Sequence, residues 1–232
     1  RVHPTVVHML AEATKHAGGS AALVCGERRL TYSQYLRCVA GFARELMALG
    51  ARGARVALIC GNSLDMPVAT FAVHAAGAQA VPVNPTYTAR ELSHILVDAQ
   101  PLVVIFDEEV APTVEPLLGP LRIAHAIRIG GKTGRSLDAW MDDASLVLPE
   151  PLPVPEDLAT LQYTGGTTGL PKGVNITHGQ MAVNISQREA VLPTCADGGS
   201  VRSVATRAQW SQRREGRLVH VRYSRCGLTA RA

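Results

Sequence analysis

Hydrophobic positions along the chain change their period several times, and each change marks an element. Residues 5–15 carry apolar side chains at the mixed spacing of a short amphipathic helix. Residues 21–25 and 29–31 are strand-like on either side of Gly26-Glu27, which predicts a β-hairpin. Thr31-Tyr32-Ser33-Gln34 has the form of a capping box, in which the threonine oxygen and the glutamine side chain satisfy backbone N–H groups left open at a helix start. The helix it opens is expected to run to about residue 49, with apolar residues at Leu36, Val39, Ala40, Ala43, Leu46 and Met47, and to stop at Gly50.

Short unbroken apolar runs follow at 56–60, 80–83, 102–106 and 124–129. Runs of this kind fit strands covered on both faces, because a strand with one wet face alternates. Helical stretches lie between them: a small-residue segment at 64–76, and a second capping box, Thr88-Ala89-Arg90-Glu91, opening a helix through Asp98. Strands separated by helices predict βαβ crossovers, a mostly parallel sheet and the α/β class. Residues 149–155 hold four prolines, a stiff connector. Beyond it, 158–163 and 174–177 read as strands around a Gly/Thr-rich loop, and 178–192 as a helix; after Thr194 neither period persists. The expected division is an α/β subdomain over 1–150, the start of a second subdomain over 151–197, and a tail over 198–232 without regular structure.

Composition narrows the class. With 232 residues, 47% of them hydrophobic and 18% charged, the chain is too apolar for a disordered protein. No stretch reaches the roughly 18 consecutive apolar residues of a membrane span. Residues 68–83 come nearest, bounded by Pro67 and broken by Pro82. No apolar leader core follows Arg1, and a cytoplasmic protein is expected; contact with a membrane surface and the oligomeric state stay open. Cys25, Cys38, Cys60, Cys195 and Cys226 are scattered and odd in number, which favours free thiols over disulfides or metal ligands.

Charge is unevenly placed. Residues 1–197 contain 15 Lys+Arg and 18 Asp+Glu, whereas 198–232 contain eight Arg, no Lys and the single acid Glu215. The net charge of +4 therefore comes from the tail. A basic tail can neutralise phosphates, but no recognition helix accompanies it and no nucleic-acid partner is expected.

The chemistry concentrates in Thr164-Gly165-Gly166-Thr167-Thr168-Gly169-Leu170-Pro171-Lys172-Gly173. Glycines allow backbone N–H groups to approach a ligand closely, a run of such groups forms an anion-binding concavity, and threonine hydroxyls add donors. Lys172 supplies a mobile positive charge, and Pro171 fixes the exit of the loop. A flexible linker would not need three threonines and a lysine among four glycines. The pattern is not G-x-x-x-x-G-K-[ST], because Lys172 follows Pro171 and precedes Gly173. Gly130-Gly131-Lys132-Thr133 lacks the first glycine of that motif and reads as a turn.

Residues 163–173, YTGGTTGLPKG, resemble the phosphate-loop signature of the adenylate-forming superfamily, which includes acyl-CoA synthetases, luciferases and the adenylation domains of peptide synthetases. Leu30-Thr31-Tyr32, residues 55–59, and Val81-Pro82-Val83-Asn84-Pro85-Thr86-Tyr87-Thr88 followed by Glu91-Leu92 resemble the acyl-CoA synthetase (fatty-acid–CoA ligase) branch, and the likeness runs in order over residues 6–192. The resemblance implies the N-terminal part of that fold and a ligase that joins a carboxylic acid to CoA at the expense of ATP. It implies ATP, Mg2+ and CoA as reactants, with Thr164, Gly165, Gly166, Thr167, Thr168 and Gly169 on the β- and γ-phosphates and Lys172 as the catalytic cation. No residue is assigned to a metal. Such enzymes are more than twice as long as this chain, and the family pattern stops near Asp197. The arginine-rich tail resembles out-of-frame translation of a GC-rich gene; a genuine basic interaction tail is the alternative. The expectation is thus a truncated acyl-CoA synthetase, inactive as this chain alone. The other readings are a nucleotide-phosphate-binding remnant and an aryl- or amino-acid-adenylating member.

Remaining candidates read as structural. His94 fits a half-buried helix position, and His178 after Thr177 fits packing behind the loop. The acids Asp107-Glu108-Glu109, between a strand and an expected helix, suit the positive end of the helix dipole. Ser33, Ser63 and Ser93 lack a G-x-S-x-G setting.

Overall fold

The structure, a computed structural model, describes residues 2–131, 134–136, 138–164, 171–191 and, for the backbone, 219–221. Helix α1 (Val6–Ala17) leads into the hairpin β1 (Ala21–Cys25) and β2 (Arg28–Thr31), and then into α2 (Tyr32–Ala48). Thr31 and Gln34 form the expected reciprocal cap, Gln34 N donating to Thr31 Oγ1 at 3.2 Å and Thr31 N to Gln34 Oε1 at 3.0 Å. Gly50 follows the helix at φ +80°, a left-handed turn that glycine takes without a Cβ penalty.

The strands β3 (Arg55–Ile59), β4 (Gln79–Pro82), β5 (Val103–Asp107), β6 (His125–Ile129), β7 (Leu158–Thr164) and β8 (Lys172–Thr177) form one sheet in the order β6-β5-β3-β4-β7-β8. Every pair is parallel except β7 with β8. The expected α/β class and mostly parallel sheet are what the chain adopts. The unbroken apolar runs have the anticipated cause. Val56 and Leu58 of β3, with Val103 and Ile105 of β5, enter a core under α1, α2 and α3 (Asp65–Ala75). Their neighbours Ala57, Ile59, Val104 and Phe106 enter a second core under α4 (Ala89–Ala99) and α5 (Ala111–Leu118). Alternate side chains thus meet helices on opposite faces, and neither face stays wet.

Two elements exceed the pattern in the sequence. A four-residue helix α6 (Asp138–Met141) carries Trp140, which stacks on Phe42 of α2 at 5.4 Å between ring centroids. In the arginine-rich tail, expected to hold no regular structure, Val219–Val221 form β9, antiparallel to β1 with Leu23 opposite Val221. Three residues are too few to register a period. The acids after β5 act more specifically than a helix dipole requires. Asp107 accepts from Val110 N at 3.2 Å and from Gly61 N at 2.6 Å, tying the exit of β5 to that of β3. Cys25, Cys38 and Cys60 form no disulfide among the described residues, and burial pushes the Cys38 thiol up to about 12. Cys195 and Cys226 lie outside the described residues.

Candidate phosphate-binding site

Strands β7 and β8 pair antiparallel from Leu158 to Thr164, so the glycine-threonine segment is the tip of a hairpin. Thr164 ends one strand directly opposite Lys172, which begins the other. Thr164 Oγ1 donates to the Lys172 carbonyl at 3.5 Å. Both residues are exposed, and among the described residues no carboxylate lies within ion-pair distance of Lys172. Gly165, Gly166, Thr167, Thr168 and Gly169 lie outside the described residues. A hydroxyl and an ammonium, placed opposite each other where the glycine-rich segment leaves and rejoins the sheet, suit a ligand that is small and negatively charged.

Below the tip the hairpin is held by groups far away in sequence. On β7, Tyr163 donates its hydroxyl to the Asp98 carboxylate in the last turn of α4. Burial, followed by that carboxylate, keeps the phenol well above its ordinary range. The ring packs beside Gly173, where an added Cβ would lie 3.3 Å from Tyr163 Cζ and 2.9 Å from Leu161 Cδ1. On β8, Asn175 Oδ1 accepts from Gln79 Nε2 at 2.8 Å.

Helix α7 (His178–Val191) starts directly after β8. Thr177 and Gln180 cap it reciprocally, Thr177 N donating to Gln180 Oε1 at 2.9 Å and Gln180 N to Thr177 Oγ1 at 3.3 Å. The spacing Thr177-His178-Gly179-Gln180 carries the signal of this box, although a glycine inside it is an unusual choice for a helix start. His178 is fully buried, in keeping with the packing role expected of it, and meets His74 of α3 edge-on at 5.2 Å. His74 Nε2 approaches Thr160 Oγ1 of β7 at 3.5 Å, whereas His74 Nδ1 and both His178 ring nitrogens have no hydrogen-bond partner. Burial lowers His74 to about 3, helped by the neighbouring His178, and lowers His178 to about 4 against the opposing pull of Asp157. The pair is a neutral contact between α3 and the start of α7, beside Thr160 of β7. His94 is half-buried on α4, as expected.

Among the described residues no group of three or more His, Cys, Asp or Glu is placed to hold a metal ion, and no helix is long and apolar enough to cross a membrane.

Comparison with known proteins joins these observations. Residues 10–205 match the AMP-binding enzyme family. The long-chain-fatty-acid–CoA ligase of Escherichia coli O157:H7 is 32% identical over 183 residues, 66% of this chain and 32% of the ligase. The chain thus spans about a third of the length of that relative. A long-chain-fatty-acid-CoA ligase from Archaeoglobus fulgidus superposes with a TM-score of 0.73 at 26% identity, covering 86% of this chain and 41% of the ligase. The anthranilate CoA ligase AuaEII in complex with anthranoyl-AMP gives a TM-score of 0.67 at 26% identity, over 77% of this chain and 35% of that protein. The family match spans both the parallel sheet and the hairpin, and the chain belongs to the AMP-binding enzyme family.

Proposed function

We propose that this chain is the triphosphate-gripping N-terminal portion of an AMP-forming acyl-CoA synthetase. The observation that carries the reading is the cross-strand placement of Thr164 and Lys172 at the two mouths of a glycine-rich hairpin tip, the lysine exposed and without an acidic partner among the described residues. In the first step a carboxylate oxygen bonds to the α-phosphorus of ATP while the bond from that phosphorus to the bridging oxygen breaks, giving an acyl-adenylate and pyrophosphate. The CoA sulfur then attacks the acyl carbon, and AMP leaves.

The first step drives an anion toward a polyanion and loads negative charge on the departing pyrophosphate, so the protein must neutralise that end. Thr164, Gly165, Gly166, Thr167, Thr168 and Gly169 would hold the β- and γ-phosphates, and Lys172 would bring its ammonium to the same oxygens. No described residue is assigned to Mg2+, which would arrive on the nucleotide's own phosphates.

A fatty or other aliphatic acid is the proposed substrate, in line with the ligases of Escherichia coli and Archaeoglobus fulgidus. An aryl acid is the second reading, favoured by the likeness to the anthranilate CoA ligase. A cytoplasmic setting is proposed for the chain. The proposed organisation is a subdomain over 1–150, the opening of a second over 151–197, and a basic tail over 198–232.

This chain by itself is proposed to bind ATP without completing turnover. Two measurements test the proposal: calorimetric titration with ATP and Mg2+, and pyrophosphate release with a panel of aliphatic and aryl acids. Binding without release supports the reading. Release with any acid refutes the inactivity of the chain alone, and failure to bind ATP refutes the phosphate site.

A further inference from the structure

Each strand that carries the glycine-threonine tip is tied back to the body of the molecule by a side chain, and both ties end at the same place. On β7 the Tyr163 hydroxyl donates to Asp98, one residue before the end of α4. On β8, Asn175 accepts from Gln79, whose own Oε1 accepts from Arg55 Nε at 3.2 Å. Arg55 Nη1 in turn donates to the Ala99 carbonyl, the last residue of α4, at 2.9 Å. The end of α4 thus anchors β7 directly and β8 through two intervening side chains. Gln79 is 5% exposed, so water cannot readily replace its partners. The Tyr163 ring packs closely beside Gly173, where a Cβ would crowd it.

The geometry points to Tyr163 and Asp98 as positioning residues that hold the exit of β7, and with it Thr164 opposite Lys172, where a polyphosphate would be met. Gln79 and Asn175 secure β8 in the same way. The inference rests on the phosphate-binding reading and extends it to residues that touch no phosphate. Its physical basis is preorganisation: Thr164 and Lys172 stand on strands that are already fixed, so less ordering remains to offset binding. Asp98 lies on the helix opened by the Thr88–Glu91 cap, so the helix is fixed at its start and its end is free to serve as an anchor.

The experiment uses the full chain and three variants. Tyr163→Phe removes the donor, Asp98→Ala removes the acceptor, and Asp98→Asn keeps an acceptor oxygen. ATP affinity is measured by calorimetry, hydrogen exchange over residues 164–172 by mass spectrometry, and the thermal midpoint alongside. Tyr163→Phe and Asp98→Ala are expected to weaken ATP binding about tenfold and to speed exchange in that segment, with the thermal midpoint nearly unchanged. Asp98→Asn is expected to restore most of both properties.

Wild-type affinity and exchange in Tyr163→Phe overturn the inference while leaving the phosphate site intact. So does a loss of affinity that only parallels a loss of thermal stability, with no local change in exchange. If the unaltered chain binds no ATP, the phosphate reading itself falls, and unchanged exchange in the variants then separately overturns the tie.

Discussion

The His74 imidazole meets the His178 ring edge-on at 5.2 Å, in a buried position where three of their four ring nitrogens have no hydrogen-bond partner. A charge on either ring would be poorly solvated and would face the other histidine, with His8 adding repulsion and Asp157 attraction at His178. Both folded-state values lie below the ordinary histidine value of 6.5, at about 3 and about 4. The unfolded chain therefore binds more protons through the acid range, and stability falls as pH falls. The contribution is complete above about pH 6.5 and is lost progressively toward pH 4, at up to about 1.4 kcal/mol per pH unit for each histidine. Urea melts at pH 7 and pH 5 measure the slope. His178→Leu should flatten it, and an unchanged slope in that variant would count against the pair as its source.

Lys172 is exposed and begins β8, so its removal should leave the fold alone. Lys172→Ala is expected to change stability by no more than about 0.5 kcal/mol. It should weaken ATP binding by about 1.5–3 kcal/mol, the range for a hydrogen bond to a charged group. The effect should shrink at high salt, because an exposed ammonium is screened. Calorimetry at two salt concentrations reads both effects.

Among the described residues three helices open with reciprocal caps, at Thr31, Thr88 and Thr177. Replacing any of these threonines by Ala should cost about 1 kcal/mol, read from denaturant midpoints. Thr177→Ala should also alter ATP affinity, because its helix starts where the hairpin ends, whereas Thr31→Ala, on a helix with no tie to the hairpin strands, should not.

Leu46 is fully buried in the core beneath α2 and α3. Leu46→Ala is expected to destabilise the chain by about 2–5 kcal/mol through lost burial and the cavity left behind, as measured by chemical denaturation.

Features encoded within a few neighbouring residues were legible in the sequence. The Thr31–Gln34 and Thr88–Glu91 caps depend on side chains three positions apart, and the structure forms both. The apolar runs of β3 and β5 announced strands covered on both faces, since alternation disappears when both sides are dry. The Tyr163–Asp98 tie spans 65 positions, and the contact between His74 and His178 more, so no local pattern encodes either. Both were set by strand order, which brings β7 beside β4 and places α3 and α4 on opposite faces of the sheet. The hairpin was legible from its glycines and threonines. The side chains that brace it were not, because Asp98 and Gln79 look like ordinary helix and strand residues until the sheet assembles.

The central claim is that the tip between Thr164 and Lys172 grips a polyphosphate. Amide resonances of residues 164–173 in the isotopically labelled chain, followed during titration with ATP to millimolar concentration, test it most directly. The account predicts shifts concentrated in that segment and largely abolished by Lys172→Ala. Resonances that stay in place, or shifts spread over the surface and indifferent to Lys172, would contradict it.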